Sequence, residues 1–221
     1  MKDDDPSFSD VPAKSASYYD RNTQSYFESN QNLADFIDEF LEYLEKVRGK
    51  AVLDLGSGPG VNAAYMQSRN FQVVGIDLSE KMVEYARSKY PNIEFRLGDM
   101  MKLPFPASSF EGILASYSLI HLTKDAVASV VPRLYEILRP GGIIYLSVQY
   151  GDSIQGFFSH PLIPKDKVFL NIFAKEEIFD LLSKYGFEIV SQHEKLPHEN
   201  VFNFAKLFII AKKPQTTYSQ D

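Results

Sequence analysis

The chain has 221 residues, of which 44% are hydrophobic and 24% charged, values close to those of globular domains and unlike those of disordered or membrane-embedded chains. Its formal net charge is −6 with the basic residues scattered, which argues against an extended phosphate-tracking surface and hence against nucleic acid as a partner. Cysteine is absent, so disulfides, thiolate zinc sites and cysteine nucleophiles are all excluded.

Residues 1–16 are rich in Asp, Ser, Pro and Lys, a composition that predicts a flexible tail. Met1 to Tyr19 has no apolar centre of the kind a signal peptide needs, and no apolar run is long enough to cross a bilayer. The expectation is therefore a cytoplasmic protein without membrane contact. Leu33, Phe36, Ile37, Phe40, Leu41, Leu44 and Val47 then recur at helical spacing with acidic residues between them, predicting an amphipathic helix that ends at Gly49. Residues 17–48 thus form a helical cap.

From Lys50 the pattern alternates between short aliphatic runs and helical segments. Ala51–Leu55, Gln72–Ile76, Ile93–Leu97, Gly112–Ala115 and Ile143–Val148 read as strands apolar on both faces, as parallel strands are. Helices are predicted at 60–69, 79–90, 123–138 and 175–185, with Ser79 and Thr123 as N-caps and Pro132 as a kink in the third. After Gly186, Phe187–Ser191 and Phe204–Lys212 are joined by a connection too short for a crossover helix, so they should pair as an antiparallel hairpin. The expectation is one α/β domain with a doubly wound sheet of seven strands, mostly parallel, and helices on both faces. Residues 50–150 are its core, 151–174 a lid or substrate insertion, and 175–213 a C-terminal helix and hairpin.

The segment Val52-Leu53-Asp54-Leu55-Gly56-Ser57-Gly58-Pro59-Gly60 carries a strand into a glycine-dense turn and then a helix. Glycines there permit positive φ and a close approach of ligand to backbone, and the helix N-terminus offers free N–H groups. Asp77 ends the second strand, about 20 residues after the turn, where a carboxylate can accept from both hydroxyls of a ribose. Its other use would be to cap the helix that follows. Asp99 follows the third strand and suits an adenine amino group, with Met100 packing on the ring.

These motifs, in this order over roughly residues 50–150, resemble the class I S-adenosylmethionine-dependent methyltransferases. Phe110-Glu111-Gly112-Ile113-Leu114-Ala115-Ser116 is similar to the family's fourth strand, and Leu138-Arg139-Pro140-Gly141-Gly142 to its turn before the fifth. The resemblance implies a Rossmann-like fold and S-adenosylmethionine as cofactor, held by Tyr19, Tyr26, Asp54, Gly56, Ser57, Gly58, Gly60, Asp77, Leu78, Met82, Asp99, Met100 and Ser116. It is nearest to single-domain enzymes acting on small molecules, in which a segment like Tyr18-Tyr19-Asp20 through Tyr26 folds over the cofactor. Tyr19 and Tyr26 would there touch cofactor or substrate, or else pack the segment on the sheet.

His121, after the fourth strand, is the candidate general base; the alternative is a packed, hydrogen-bonded histidine. His193 and His198 read as loop residues. The acceptor pocket is expected from Tyr117, Tyr150, Phe157, His160 and Phe173, joined by Phe158 and Phe169, unless these aromatics form a satellite core. Methyl transfer from a sulfonium to an O, N or C nucleophile needs mainly orientation and exclusion of water, so a base is not obligatory. No carboxylate cluster demands a metal, and the assembly is expected to be a monomer or a homodimer.

Two rivals remain. A nicotinamide-dependent dehydrogenase would want Gly or Ala at position 61, where this chain has Val. A non-catalytic S-adenosylmethionine-binding sensor or partner protein would share every cofactor motif. Within methyltransferases, Ser116-Tyr117-Ser118-Leu119 does not resemble the motif of enzymes that methylate base amino groups, which leaves small molecules first and proteins second.

Overall fold

The computed structural model describes residues 10–24, 26, 32–160, 163–197 and 202–215, the side chains of His160 and 163–165 excepted. Among the described residues nine strands and six helices follow in chain order: α1 (Val11–Arg21), α2 (Ile37–Glu45), β1 (Ala51–Leu55), α3 (Val61–Ser68), β2 (Gln72–Asp77), α4 (Glu80–Lys89), β3 (Glu94–Leu97), β4 (Phe110–Ser116), α5 (Lys124–Ile137), β5 (Leu138–Tyr150), β6 (Ile154–His160), β7 (Ile163–Ile172), α6 (Lys175–Lys184), β8 (Glu188–Lys195) and β9 (Ala205–Lys212). Single 3-10 turns at Met100–Lys102 and Leu119–His121 follow β3 and β4.

The main sheet has seven strands in the order β3-β2-β1-β4-β5-β9-β8. β1 to β5 are mutually parallel, while β9 runs antiparallel to both β5 and β8, so the expected terminal hairpin closes that side. The winding direction reverses between β1 and β4, and a crevice opens beyond their carboxyl ends at such a switch point.

Continuous apolar runs in β1, β4 and β5 bury both faces of the sheet. On one face Leu53, Leu55, Ile113, Ile144 and Leu146 pack with Val127, Val130 and Leu134 of α5 and Ile178 and Leu182 of α6. On the other Val52, Leu114, Ile143 and Tyr145 pack with Phe40, Leu41 and Leu44 of α2, Ala63 and Met66 of α3 and Val83 and Ala86 of α4. Ser79 and Thr123 cap α4 and α5 by accepting from Met82 N and Ala126 N. α5 runs on through Pro132 without a break. The Leu138–Gly142 turn belongs to the start of β5, where the register with β4 shifts and Gly141 takes φ 81°.

Four expectations need correction. The predicted tail ends before residue 11: α1 buries Val11, Ser15 and Tyr18, one helical face that composition alone conceals. The helix expected from Leu33 begins at Ile37, because Phe36 adopts φ 60° and stacks on His193 with ring centroids 4.0 Å apart. The insertion after β5 is a β-hairpin, β6 with β7, rather than a lid loop. Val168, Leu170 and Ile172 of that hairpin enter the main core. His193 lies within β8, not in a loop, and bonds Glu39 at 2.6 Å. His198 lies outside the described residues, and no described helix is long and apolar enough to cross a membrane.

Candidate cofactor and acceptor site

The glycine turn between β1 and α3 sits at the switch point. Gly56 N and Ser57 N donate to Ile76 O at 2.8 and 3.0 Å, tying the turn to the neighbouring strand end. Gly56 has φ 71°, and a Cβ there would lie 2.5 Å from Ser118 Cβ, so the segment after β4 closes directly on the turn. Gly58 has φ 50° and would meet nothing within 4 Å, which leaves open space above its backbone.

Asp77, at the end of β2, faces this turn. One carboxylate oxygen accepts from Gly58 N at 2.8 Å and the other from Ser79 N at 2.9 Å. The residue therefore braces the turn and caps α4 at once, and two carboxylate oxygens retain lone pairs for further donors. Burial pushes its pKa up, opposed by the bonds from Ser79, Gly58 and Leu78, and the Asp20 charge raises it further. Asp54, 1% exposed on β1, has an Oδ2 with no partner among the described residues. Burial, then the Asp77 charge, pushes Asp54 up to about 7. A buried carboxylate oxygen in this position suits a cation or a strong donor.

The open backbone at Gly58 and the two carboxylates fit an adenosyl cofactor with an ammonium group. Asp77 would take the ribose hydroxyls and Asp54 the ammonium. The expected adenine contacts are less committed: Asp99 Oδ1 caps the 3-10 turn by accepting from Met101 N at 2.8 Å, and Met100 is partly buried against the core. Leu78 lies between Asp77 and the Ser79 cap, and Met82 is a buried core residue of α4. Ser116 Oγ lies 3.3 Å from Ser147 Oγ at the ends of β4 and β5.

α1 closes over this edge. Asp20 Oδ1 accepts from Ser79 Oγ at 2.6 Å and from Lys81 N at 3.2 Å. Tyr19 Oη donates to His121 Nε2 at 2.7 Å, while His121 Nδ1 lies 2.9 Å from Phe169 O. A carbonyl can only accept, so Nδ1 carries the hydrogen and Nε2 presents its lone pair to Tyr19. Tyr19 also stacks edge-on against Tyr18, Tyr26 and His121 with centroids 5.2 Å apart in each pair. Burial raises the pKa of Tyr19 well above the ordinary phenol value and that of Tyr26 to about 12, with the Asp77 charge adding to both. Arg21 and Asn22 anchor the far end of α1 to Asp166 of β7 at 3.1 and 2.9 Å.

The expected acceptor aromatics separate. Tyr117 stands at the site with φ 50°, its N–H bonded to Ser147 O and Oγ at 3.1 and 2.9 Å. Tyr150 donates to Glu194, and Phe173 is buried in the main core, its backbone joined to Gln149 and Gly151. Phe157 packs against a separate small cluster of Phe169 and Val11, and its exposed part lines an open cavity with Lys14, Ser17, Arg21 and Lys167. The side chain of His160 lies outside the described residues. Sequence reasoning left Asp20, Asp166 and the Phe169 carbonyl without roles. Asp20 had a signal in its place within the Tyr-Tyr-Asp segment; a backbone carbonyl offers none.

Residues 52–142 match the family model of a methyltransferase domain. The chain is 31% identical over 131 residues to a demethylmenaquinone methyltransferase of Chlorobaculum parvum, covering 59% of this chain and 48% of that protein. It is 29% identical over 180 residues to the O-methyltransferase cnsE of Penicillium expansum, covering 75% of this chain and 61% of that one. The chain thus spans less than two thirds of the length of either relative. Among solved structures, an S-adenosylmethionine-dependent methyltransferase from Methanosarcina mazei superposes with a TM-score of 0.71 at 19% identity, over 83% of this chain and 99% of that one.

Proposed function

Since the chain belongs, through residues 52–142, to the class I S-adenosylmethionine-dependent methyltransferases, we propose that it transfers the methyl group of that cofactor to an O, N or C nucleophile of a small molecule. The observation that carries this reading is the arrangement of Asp54, Gly58 and Asp77 about open space at the switch point. Bound there, the cofactor supplies a sulfonium methyl to which the acceptor's lone pair adds as the carbon–sulfur bond breaks. The chain's own work is to hold, orient and exclude water.

Asp77 would hold the ribose hydroxyls and Asp54 the ammonium. α1 covers the edge through Asp20 and Tyr19. Where the acceptor is an O–H or N–H group, its proton goes to Tyr19 Oη as the Tyr19 proton passes to His121 Nε2, whose lone pair that hydroxyl already faces. Tyr19 stands in that path and exchanges one proton for another, since burial opposes its ionisation. Relatives named for menaquinone precursors and for O-methylation support a small-molecule acceptor.

Calorimetric titration with S-adenosylmethionine and S-adenosylhomocysteine, with NADH as control, tests the reading. Micromolar binding that Asp77→Ala weakens by roughly 1–3 kcal/mol, the cost of stranding buried hydroxyls, is expected. Binding of NADH in place of both adenosyl ligands would overturn it.

A further inference from the structure

At the carboxyl end of β4, beside the glycine turn, the structure holds a group of polar atoms to which the cofactor reading gives no role. Tyr117 Oη, Ser118 Oγ and Gln149 Oε1 are buried and without hydrogen-bond partners among the described residues. Gln149 sits on β5 directly opposite Lys206 of β9, so the two side chains leave the sheet on the same face. Lys206 Nζ lies 5.7 Å from the centroid of the Tyr117 ring.

Lys206 is half-buried, yet it makes none of the ion pairs found among the described residues. Its neighbour Lys195, opposite it on β8, is paired with Asp35. Burial lowers the pKa of Lys206 and the Lys195 charge lowers it further, against the influence of Asp35. Nor is Tyr117 relaxed. It is an aromatic residue held at φ 50° by two bonds from its N–H to Ser147, and burial keeps its phenol protonated as a donor. An ammonium without an ion pair and a phenol hydroxyl without a hydrogen bond among the described residues, both partly dehydrated, call for an anionic oxygen.

We infer that Lys206, Tyr117 and Gln149 form the polar end of the acceptor pocket, and that they select an acceptor carrying a single negative charge, a carboxylate or an acidic hydroxyl. The inference rests on the methyltransferase reading, since the pocket adjoins the turn through the contact of Ser118 with Gly56. One cation with one phenol matches one anionic oxygen; a phosphate dianion would want a second cation, and Lys195 is already neutralised by Asp35. Gln149 Oε1 can only accept, so it faces a donor elsewhere on the acceptor molecule rather than the anionic oxygen itself.

The test uses the full chain saturated with S-adenosylhomocysteine, whose own binding is measured first. Matched acids and primary amides (benzoate with benzamide, phenylacetate with phenylacetamide, 4-hydroxybenzoate with its amide) are then titrated by calorimetry. At least one acid is expected to bind about tenfold or more tightly than its amide. Lys206→Met should abolish that preference and Lys206→Arg should retain it, with the affinity for S-adenosylhomocysteine unchanged in both. Equal binding of acids and amides, binding of no acid, or a preference that survives Lys206→Met overturns the inference and leaves the cofactor reading intact. Failure of S-adenosylhomocysteine to bind wild type would remove both.

Discussion

The two halves of the site are built differently. The half proposed for the cofactor, residues 54–79, comes from one contiguous stretch in which backbone N–H groups of Gly56, Ser57, Gly58 and Ser79 do most of the bonding. The half proposed for the acceptor draws Tyr19, Tyr117, His121, Gln149, the Phe169 carbonyl and Lys206 from segments far apart in sequence and would work mainly through side chains. A half made of backbone tolerates little change in chain geometry; one made of side chains can be re-cut residue by residue without loss of the fold.

Substitution at the turn should break the contrast most severely. Gly56→Val puts a branched side chain at φ 71° where even a Cβ lies 2.5 Å from Ser118, so a large drop in melting temperature and loss of S-adenosylhomocysteine binding are expected together. Gly58→Ala separates the two effects. With nothing within 4 Å, it should cost stability only about 1–2 kcal/mol for the left-handed backbone, while the ligand's approach is blocked and binding falls further. Equal losses in stability and affinity at Gly58 would mean that the open space is not the cofactor's.

Asp54 sharpens the comparison through pH. Its pKa of about 7 in the free protein should fall when an ammonium binds beside it, so binding near neutrality releases a proton and weakens as pH drops below 7. Calorimetry in buffers of different ionisation enthalpy reads that proton. The stability sign is opposite to that of an ion-paired carboxylate: the folded chain favours the neutral acid, so this contribution is complete below the ordinary aspartate pKa and is lost as pH rises towards 7. Asp54→Asn should therefore raise the melting temperature above pH 7, bind the cofactor less well, and release no proton.

Smaller effects belong to the cover. Tyr19→Phe leaves His121 Nε2 without its donor and should cost about 1 kcal/mol of stability, with a larger loss in turnover on O–H acceptors than in cofactor affinity. Arg21→Ala removes an exposed ion pair to Asp166 and should change stability by about 0.5 kcal/mol or less.

The glycine turn and the carboxylate that faces it were legible from residues alone because glycine spacing, an acid at the next strand end and alternating apolar runs are local signals. Ala51–Leu55 as a strand, Ser79 and Thr123 as caps and the C-terminal hairpin follow from the same short-range rules. The acceptor aromatics were not legible. Phe157, Phe169 and Phe173 look alike in sequence whether they line a cavity or fill a core, and only the pairing of β6 with β7 puts Phe157 on Val11 and Phe169 and sends Phe173 into the main core. The N-terminal segment misled for a related reason: a polar composition hides one buried face of Val11, Ser15 and Tyr18 until a partner surface exists to cover it.

By itself the sequence determined the winding of the sheet, the place of the glycine turn and the acid that answers it, since these depend on periodicity, backbone freedom and charge within a few tens of residues. The tertiary structure decided the tautomer of His121, the lack of an ion pair for Lys206 among the described residues and the docking of α1. Each of these depends on which distant group arrives within hydrogen-bond reach, and no short-range pattern encodes that.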